Sequence, residues 1–264
     1  MKYRLKIKND LFYLFVILMI TQIFNHSVLG APLPFLLVLG FLGLMLLETW
    51  VIKTFRDYSG KKVSKYSDVL VKISFKKRFF EYFLLPAIFY ISLLIFLFFN
   101  RNMLLGHIIL GVCTVFLLIL FLNIKSSLNR IYSFALATRA IYDFMCITIF
   151  YLLLNSFVRI GVSMEVFTAL SVISSFILLT FVLKIHDRLG GFELFVTLFC
   201  SLFIAIISLF FWNHNIFVIP AIGALAFYLI ISLWNVRFAG KIKLLDYLAP
   251  FLYVVIAVIL ILSL

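Results

Sequence analysis

Apolar runs of about twenty residues follow one another along the chain, separated by short polar breaks. A hydrocarbon core about 30 Å thick is crossed by about 20 apolar residues of helix. The pattern therefore predicts nine spans, at about 11–29, 33–52, 81–99, 103–124, 141–158, 163–184, 192–212, 215–235 and 247–264. The polar–apolar alternation of a membrane barrel is absent. The longest polar interruption is KTFRDYSGKKVSKYSDVLVKISFKKRFF at 53–80, and a second, KIHDRLGG at 184–191, separates spans six and seven. On the other side the breaks are tight: GAPLP at 30–34, NRN at 100–102, RIGVS at 159–163 and NHN at 213–215. The expected fold class is an all-α polytopic membrane protein, about nine transmembrane helices in one bundle, with residues 1–264 as a single transmembrane domain.

Composition agrees with the pattern. At 66% hydrophobic and 12% charged residues, with a mean hydropathy of +1.23, the chain lacks the roughly one-quarter charged residues of a soluble domain. Cys113, Cys146 and Cys200 fall inside apolar runs, without the spacing of a disulfide frame or a zinc site. The basic opening MKYRLKIKND leads into a first run with no small-residue cleavage site, so that run reads as a retained span.

Charge gives the spans a direction. The amino terminus, the 53–80 loop and the connections at 125–139, 184–188 and 237–243 carry 21 of the 23 Lys and Arg residues, and the opposite connections carry only Arg101 and Arg159. The positive-inside rule then places the amino terminus in the cytoplasm and the carboxyl terminus outside. The +13 formal charge gathers on one face, where it attracts anionic headgroups, phosphates or an anionic substrate. Topology alone also accounts for most of these charges. The lipid bilayer is the expected partner and nucleic acid is not.

A carboxylate beside hydrocarbon is a functional candidate by default. Asp57 and Asp68 lie in the large loop, Asp187 and Asp246 in later connections on the same side, and Glu48, Glu81, Asp143 and Glu193 near span ends. If span two continues into the loop as helix, Lys53, Asp57 and Lys61 share one face at four-residue spacing. Asp57 is then either a charge partner for these lysines or a ligand for a divalent cation holding a diphosphate. The same two readings apply to Asp68 beside Lys72, Lys76, Lys77 and Arg78, whose charges suit phosphate oxygens. In the 184–191 turn, His186 is expected to be solvated, with a proton-transfer role as the alternative, and two glycines are free to close the turn. Tyr82, Tyr132 and Tyr142 are expected at the headgroup level, and Pro86, Pro220 and Pro250 at kinks or span ends.

Nine spans, a large loop after the second and a polar turn after the sixth resemble the UbiA family of intramembrane prenyltransferases. The segment FRDYSGKKVSKYSDVLVKISFKK is similar to that family's first Asp-rich motif and the stretch after it, with Asp57 at one motif aspartate and Ile73-Ser74 at the later Ile-Ser step. The resemblance in layout covers nearly the whole chain, and that in motif about 25 residues. Ile52, Lys53 and Lys61 stand at other acidic positions of the motif, and the second motif is reduced to Asp187. The resemblance implies a polyprenyl diphosphate or other lipid-linked substrate at the cytoplasmic face. It further implies magnesium held by Asp57, Asp68 and Asp187, with phosphate charge neutralised by Arg56, Lys61, Lys72 and Arg188. It names no catalytic residue. The competing reading is a non-enzymatic homologue, either a scaffold for a membrane protein partner or a transporter of small or lipidic substrates. Transport predicts acids near mid-membrane, whereas these gather at one lip.

Overall fold

The computed structural model describes residues 7–58, 79–129, 135–240 and 244–263. Among them every regular element is a helix: α1 (Ile7–Ser27), α2 (Leu33–Tyr58), α3 (Leu85–Phe99), α4 (Met103–Asn129), α5 (Ala135–Ile160), α6 (Met164–Ile185), α7 (Gly191–Phe210), α8 (Val218–Phe238) and α9 (Leu244–Ser263). They coincide with the nine expected runs to within a few residues at most boundaries. Among the described residues eight candidate spans are long and apolar enough to cross a membrane, and the apolar part of α1, Leu11–Ser27, has the 17 residues at the lower limit for a span. The fold is that of an all-α polytopic membrane protein. The chain forms two compact units, Met1–Ile141 and Tyr142–Leu264, with the boundary inside α5.

In the first unit, Tyr90 of α3 is fully buried and its hydroxyl lies 3.2 Å from Thr21 Oγ1 on α1. The hydroxyl occupies the space a side chain at Gly43 of α2 would take, so a glycine and a tyrosine set the approach of two helices. Trp50 of α2 stacks on Phe121 of α4 at 3.8 Å. Ahead of α3 runs one π-helical turn, Phe80–Leu84, in which the Leu85 N–H bonds to the Phe80 carbonyl. Pro86, near the start of α3, has no N–H for the α-helical ladder, and the wider turn accommodates that loss. An apolar groove of about 560 Å³, lined in part by Leu36, Gly40, Phe41, Leu94 and Phe98, lies along the first half of α2.

In the second unit, small side chains bring helices close. Thr197, Ser201, Ala205 and Ser208 form a buried stripe on α7, and Ser171 and Ser175 are buried on α6. The Ser175, Ser201 and Ser208 hydroxyls donate to carbonyls one turn back, at 2.7, 2.9 and 2.9 Å, which meets their hydrogen-bonding need without water. Gly223 of α8 leaves room for Ser208 Oγ and Leu154 Cδ1, which would stand 2.7 and 2.5 Å from an added Cβ. Phe150 of α5 stacks on Phe227 of α8 at 4.8 Å. On α9, Pro250 sits inside the helix and is the buried residue among those described, and most of the remaining residues are exposed.

Tyr82 and Tyr142 are both wholly buried in protein. Tyr132 lies outside the described residues.

Candidate functional site

The turn between α6 and α7 is built from its backbone outward. The His186 N–H donates to the Val182 carbonyl at 3.1 Å, that of Asp187 to Lys184 at 3.1 Å, and that of Arg188 to Leu183 at 2.9 Å. The last two bonds make a Schellman closure, in which the residue after the cap takes the left-handed conformation. That residue is Asp187, with φ 55°, and among the described residues it is the one non-glycine with positive φ. The ends of α5 and α8 use Gly161 (φ 73°) and Gly240 (φ 69°) for the same purpose. The glycines of the turn therefore do not reverse the chain. Gly190, with φ −136°, caps α7 in an extended conformation, and its missing side chain makes room for the Glu193 carboxylate.

Beneath the turn lies a buried polar cluster. His186 is 8% exposed and Asp143 of α5 is 4% exposed, so His186 is not the solvated histidine the sequence suggested. Its Nε2 lies 3.3 Å from both Asp143 carboxylate oxygens. Asn235 Nδ2 on α8 donates to Asp143 Oδ2 at 2.8 Å. An ionised carboxylate only accepts, so Nε2 carries the ring proton in this arrangement. Phe238 packs its ring 5.3 Å from the His186 ring, and the Arg188 guanidinium stands over it at 5.9 Å. His186 is thus anchored inside while its neighbours Asp187 and Arg188 face outward, both exposed. A cavity of about 80 Å³ beside the turn is lined by Leu183, Phe192, Glu193, Trp234, Arg237 and Phe238, among others. One water needs about 10–15 Å³ of such space, so the cavity holds a few waters or small polar groups rather than an isoprenoid chain.

Of the residues expected at a diphosphate site, Asp187 and Arg188 are adjacent on this turn. Arg56 is exposed in the last turn of α2. The helix continues through Tyr58 and so carries Lys53 and Asp57 one turn apart. Lys53 Nζ stands over the Tyr13 ring at 5.2 Å. The Asp57 side chain, and Lys61, Asp68 and Lys72 altogether, lie outside the described residues. The first unit's apolar groove follows α2 from Leu33 to Leu44, at least 12 residues, or about 18 Å of helix, from Arg56. It is therefore not a continuation of that basic end.

Among the described residues no three of His, Cys, Asp and Glu form a metal-holding group. Asp187 alone offers this turn an outward carboxylate. Such a donor suits a magnesium ion that arrives with a diphosphate, since magnesium takes one or two protein carboxylates and completes its shell with water and phosphate. It does not form a protein-built cage.

Sequence reasoning singled out the 184–191 turn and Asp143, but not their pairing, and it missed Asn235 and Phe238 entirely. The available signal was Asp143 itself, since an acid flanked by apolar sequence needs a buried partner. Comparison with models of known families finds none that matches the chain, and comparison with curated proteins and with solved structures likewise finds no match.

Proposed function

We propose that the chain is a UbiA-like integral membrane protein that binds a polyprenyl diphosphate or related lipid-linked phosphate at its cytoplasmic face, through the turn at 186–188 of the second unit. The observation that carries this reading is Asp187 in a left-handed position where the neighbouring helix ends use glycine. Aspartate tolerates this conformation better than most side chains but less freely than the glycine used at the other ends, and its retention there suggests use of the side chain itself. Arg188 supplies a charge for phosphate oxygens, and Asp187 supplies a carboxylate for the accompanying magnesium ion. The buried Asp143, His186 and Asn235 cluster holds the turn in shape. The excess of basic residues on the connections of this side supports its assignment to the cytoplasm. The reaction class of such a site is prenyl transfer with release of diphosphate.

One observation favours a non-enzymatic scaffold. Asp143, the buried acid of this cluster, already has bonding partners in His186 and Asn235 and is not poised to meet a substrate.

The deciding experiment incubates purified protein with radiolabelled prenyl diphosphates, with magnesium or with EDTA. Saturable binding that needs magnesium and is lost in Arg188→Gln and Asp187→Asn supports the diphosphate site, and release of diphosphate adds transfer. Neither binding nor release would reject the reading and leave the scaffold.

A further inference from the structure

The far end of α5 presents a different problem from the turn. Arg159 and Asn155 lie one helical turn apart, and Arg159 Nε donates to Asn155 Oδ1 at 2.6 Å. That bond assigns the amide, because only its oxygen can accept from a guanidinium. Two buried N–H groups of the pair, Asn155 Nδ2 and Arg159 Nη2, then lack a well-formed hydrogen bond, with the Tyr151 hydroxyl as the polar group beside them. Asn155 is 1% exposed. On a guanidinium, Nε and Nη2 share the edge that grips a pair of oxygens, so with Nε committed to the amide, Nη2 has room for one more acceptor.

The surroundings supply positive potential; the polar neighbour of the pair is the Tyr151 phenol, a neutral group that cannot balance the guanidinium charge. Arg159 stands over the Phe217 ring at 5.4 Å, and Phe217 is the N-cap of α8, whose first turn turns its positive dipole end to the same place. Among the described residues Arg159 has no carboxylate partner, and Glu165, the nearest acid in sequence, is fully exposed. Depth identifies the ligand's chemistry. From Asp143 to Arg159 is 16 residues, or about 24 Å of helix, so a helix with Asp143 at one membrane interface sets Arg159 near the other. Trp212, packed 5.1 Å from Phe167, marks an interfacial aromatic on that side.

From these features we infer that the Asn155–Arg159 pair is a binding site for a phosphate oxyanion, met in the membrane as a phospholipid headgroup. The amide and the guanidinium each give one N–H to the ligand, the guanidinium gives the charge, and the α8 end adds to it. This site is independent of the turn at 186–188.

The test uses full-length protein, delipidated in detergent and titrated with phosphatidylglycerol, with diacylglycerol and with inorganic phosphate. Retained lipid is counted by native mass spectrometry and phosphate binding is followed by calorimetry. The expected result is one tightly held phosphatidylglycerol that Arg159→Gln weakens about tenfold, the loss of a charge-assisted hydrogen bond. Diacylglycerol is not retained, and Arg188→Gln leaves this lipid in place. Inorganic phosphate that binds comparably and is lost in the same variant supports the oxyanion site with free phosphate as its source. Arg159→Lys keeps the charge but not the paired edge, is expected to bind several-fold more weakly, and carries the test if Arg159→Gln does not fold. Phosphatidylglycerol and phosphate binding that neither variant alters overturns the site, as does equal retention of diacylglycerol.

Discussion

Replacing Asp187 separately by glycine and by alanine isolates the conformation of the turn from its carboxylate. Both variants lose the acid and whatever it bonds, so the difference between them reports the backbone. A Cβ in the left-handed region costs roughly 1–2 kcal/mol through its clash with the following carbonyl oxygen. Glycine escapes that cost but gives up about 0.5–1 kcal/mol more chain entropy on folding than alanine does. At φ 55° the balance leaves Asp187→Gly more stable than Asp187→Ala by about 1 kcal/mol. For a chain of this size that is about 2–4 °C in Tm. The native aspartate falls between them on backbone grounds, because Asp tolerates this region better than Ala. Thermal unfolding of the purified protein in detergent, followed by tryptophan fluorescence, measures the order. Prenyl diphosphate binding is expected to fall equally in both variants, so stability and binding part company at one residue. An alanine variant as stable as the glycine variant would refute the left-handed closure, and with it the inference that Asp187 is kept for its side chain.

Asp143→Ala leaves the buried His186 Nε2 and the half-buried Asn235 Nδ2 without their acceptor and is expected to cost about 2–4 kcal/mol, read as a Tm loss larger than that of either Asp187 variant. Gly43→Ala drives a methyl group into the Tyr90 hydroxyl and is expected to cost about 1–3 kcal/mol. Tyr90→Phe, which removes that hydroxyl, should recover part of the loss, and additive costs in the double variant would deny the contact. Cysteines placed at Lys61 and at Asn102 should be labelled by an impermeant maleimide from opposite sides of sealed membrane vesicles, with the Lys61 position on the cytoplasmic side. Labelling of both from one side would reverse or break the assigned topology.

The spans were legible because bilayer thickness dictates their length whatever the side chains do. The polar turn at 184–191 was legible for the same reason, as the remainder between two apolar runs. Helix facing was not. These helices are apolar nearly all round, so periodicity carries little information about which side is inside. Phe227, wholly buried, and Phe210, 78% exposed, are the same residue type in similar local sequence. The pairings that build the site join positions 43 and 92 residues apart, and no local pattern encodes such distances. The choice of Asp187 over a neighbouring glycine to reverse the chain escaped notice because Gly190 and Gly191 looked better suited. The Schellman register instead places the left-handed residue immediately after the His186 cap.

The two ends of α5 use polar groups in opposite ways, and the difference separates architecture from recognition in the second unit. At Asp143 the acid is matched by an imidazole on one helix and an amide on another. The carboxylate is matched and the cluster ties α5, α6 and α8 together, with only the neutral Asn235 Oδ1 left without a hydrogen bond. At the other end Arg159 bonds to Asn155 on its own helix, and two donors are left over. A hydrogen bond within one helix does little to fix tertiary structure, and a buried donor without an acceptor costs about 1–3 kcal/mol. A pair that contributes little to the fold and carries that cost is understandable if an outside oxygen completes it. At the turn His186 points inward and is matched, while Asp187 and Arg188 are exposed. Substitutions at Asp143 should therefore register first in stability, and those at Arg159 and Arg188 first in ligand binding. Loss of stability without loss of lipid in Arg159→Gln would contradict that division.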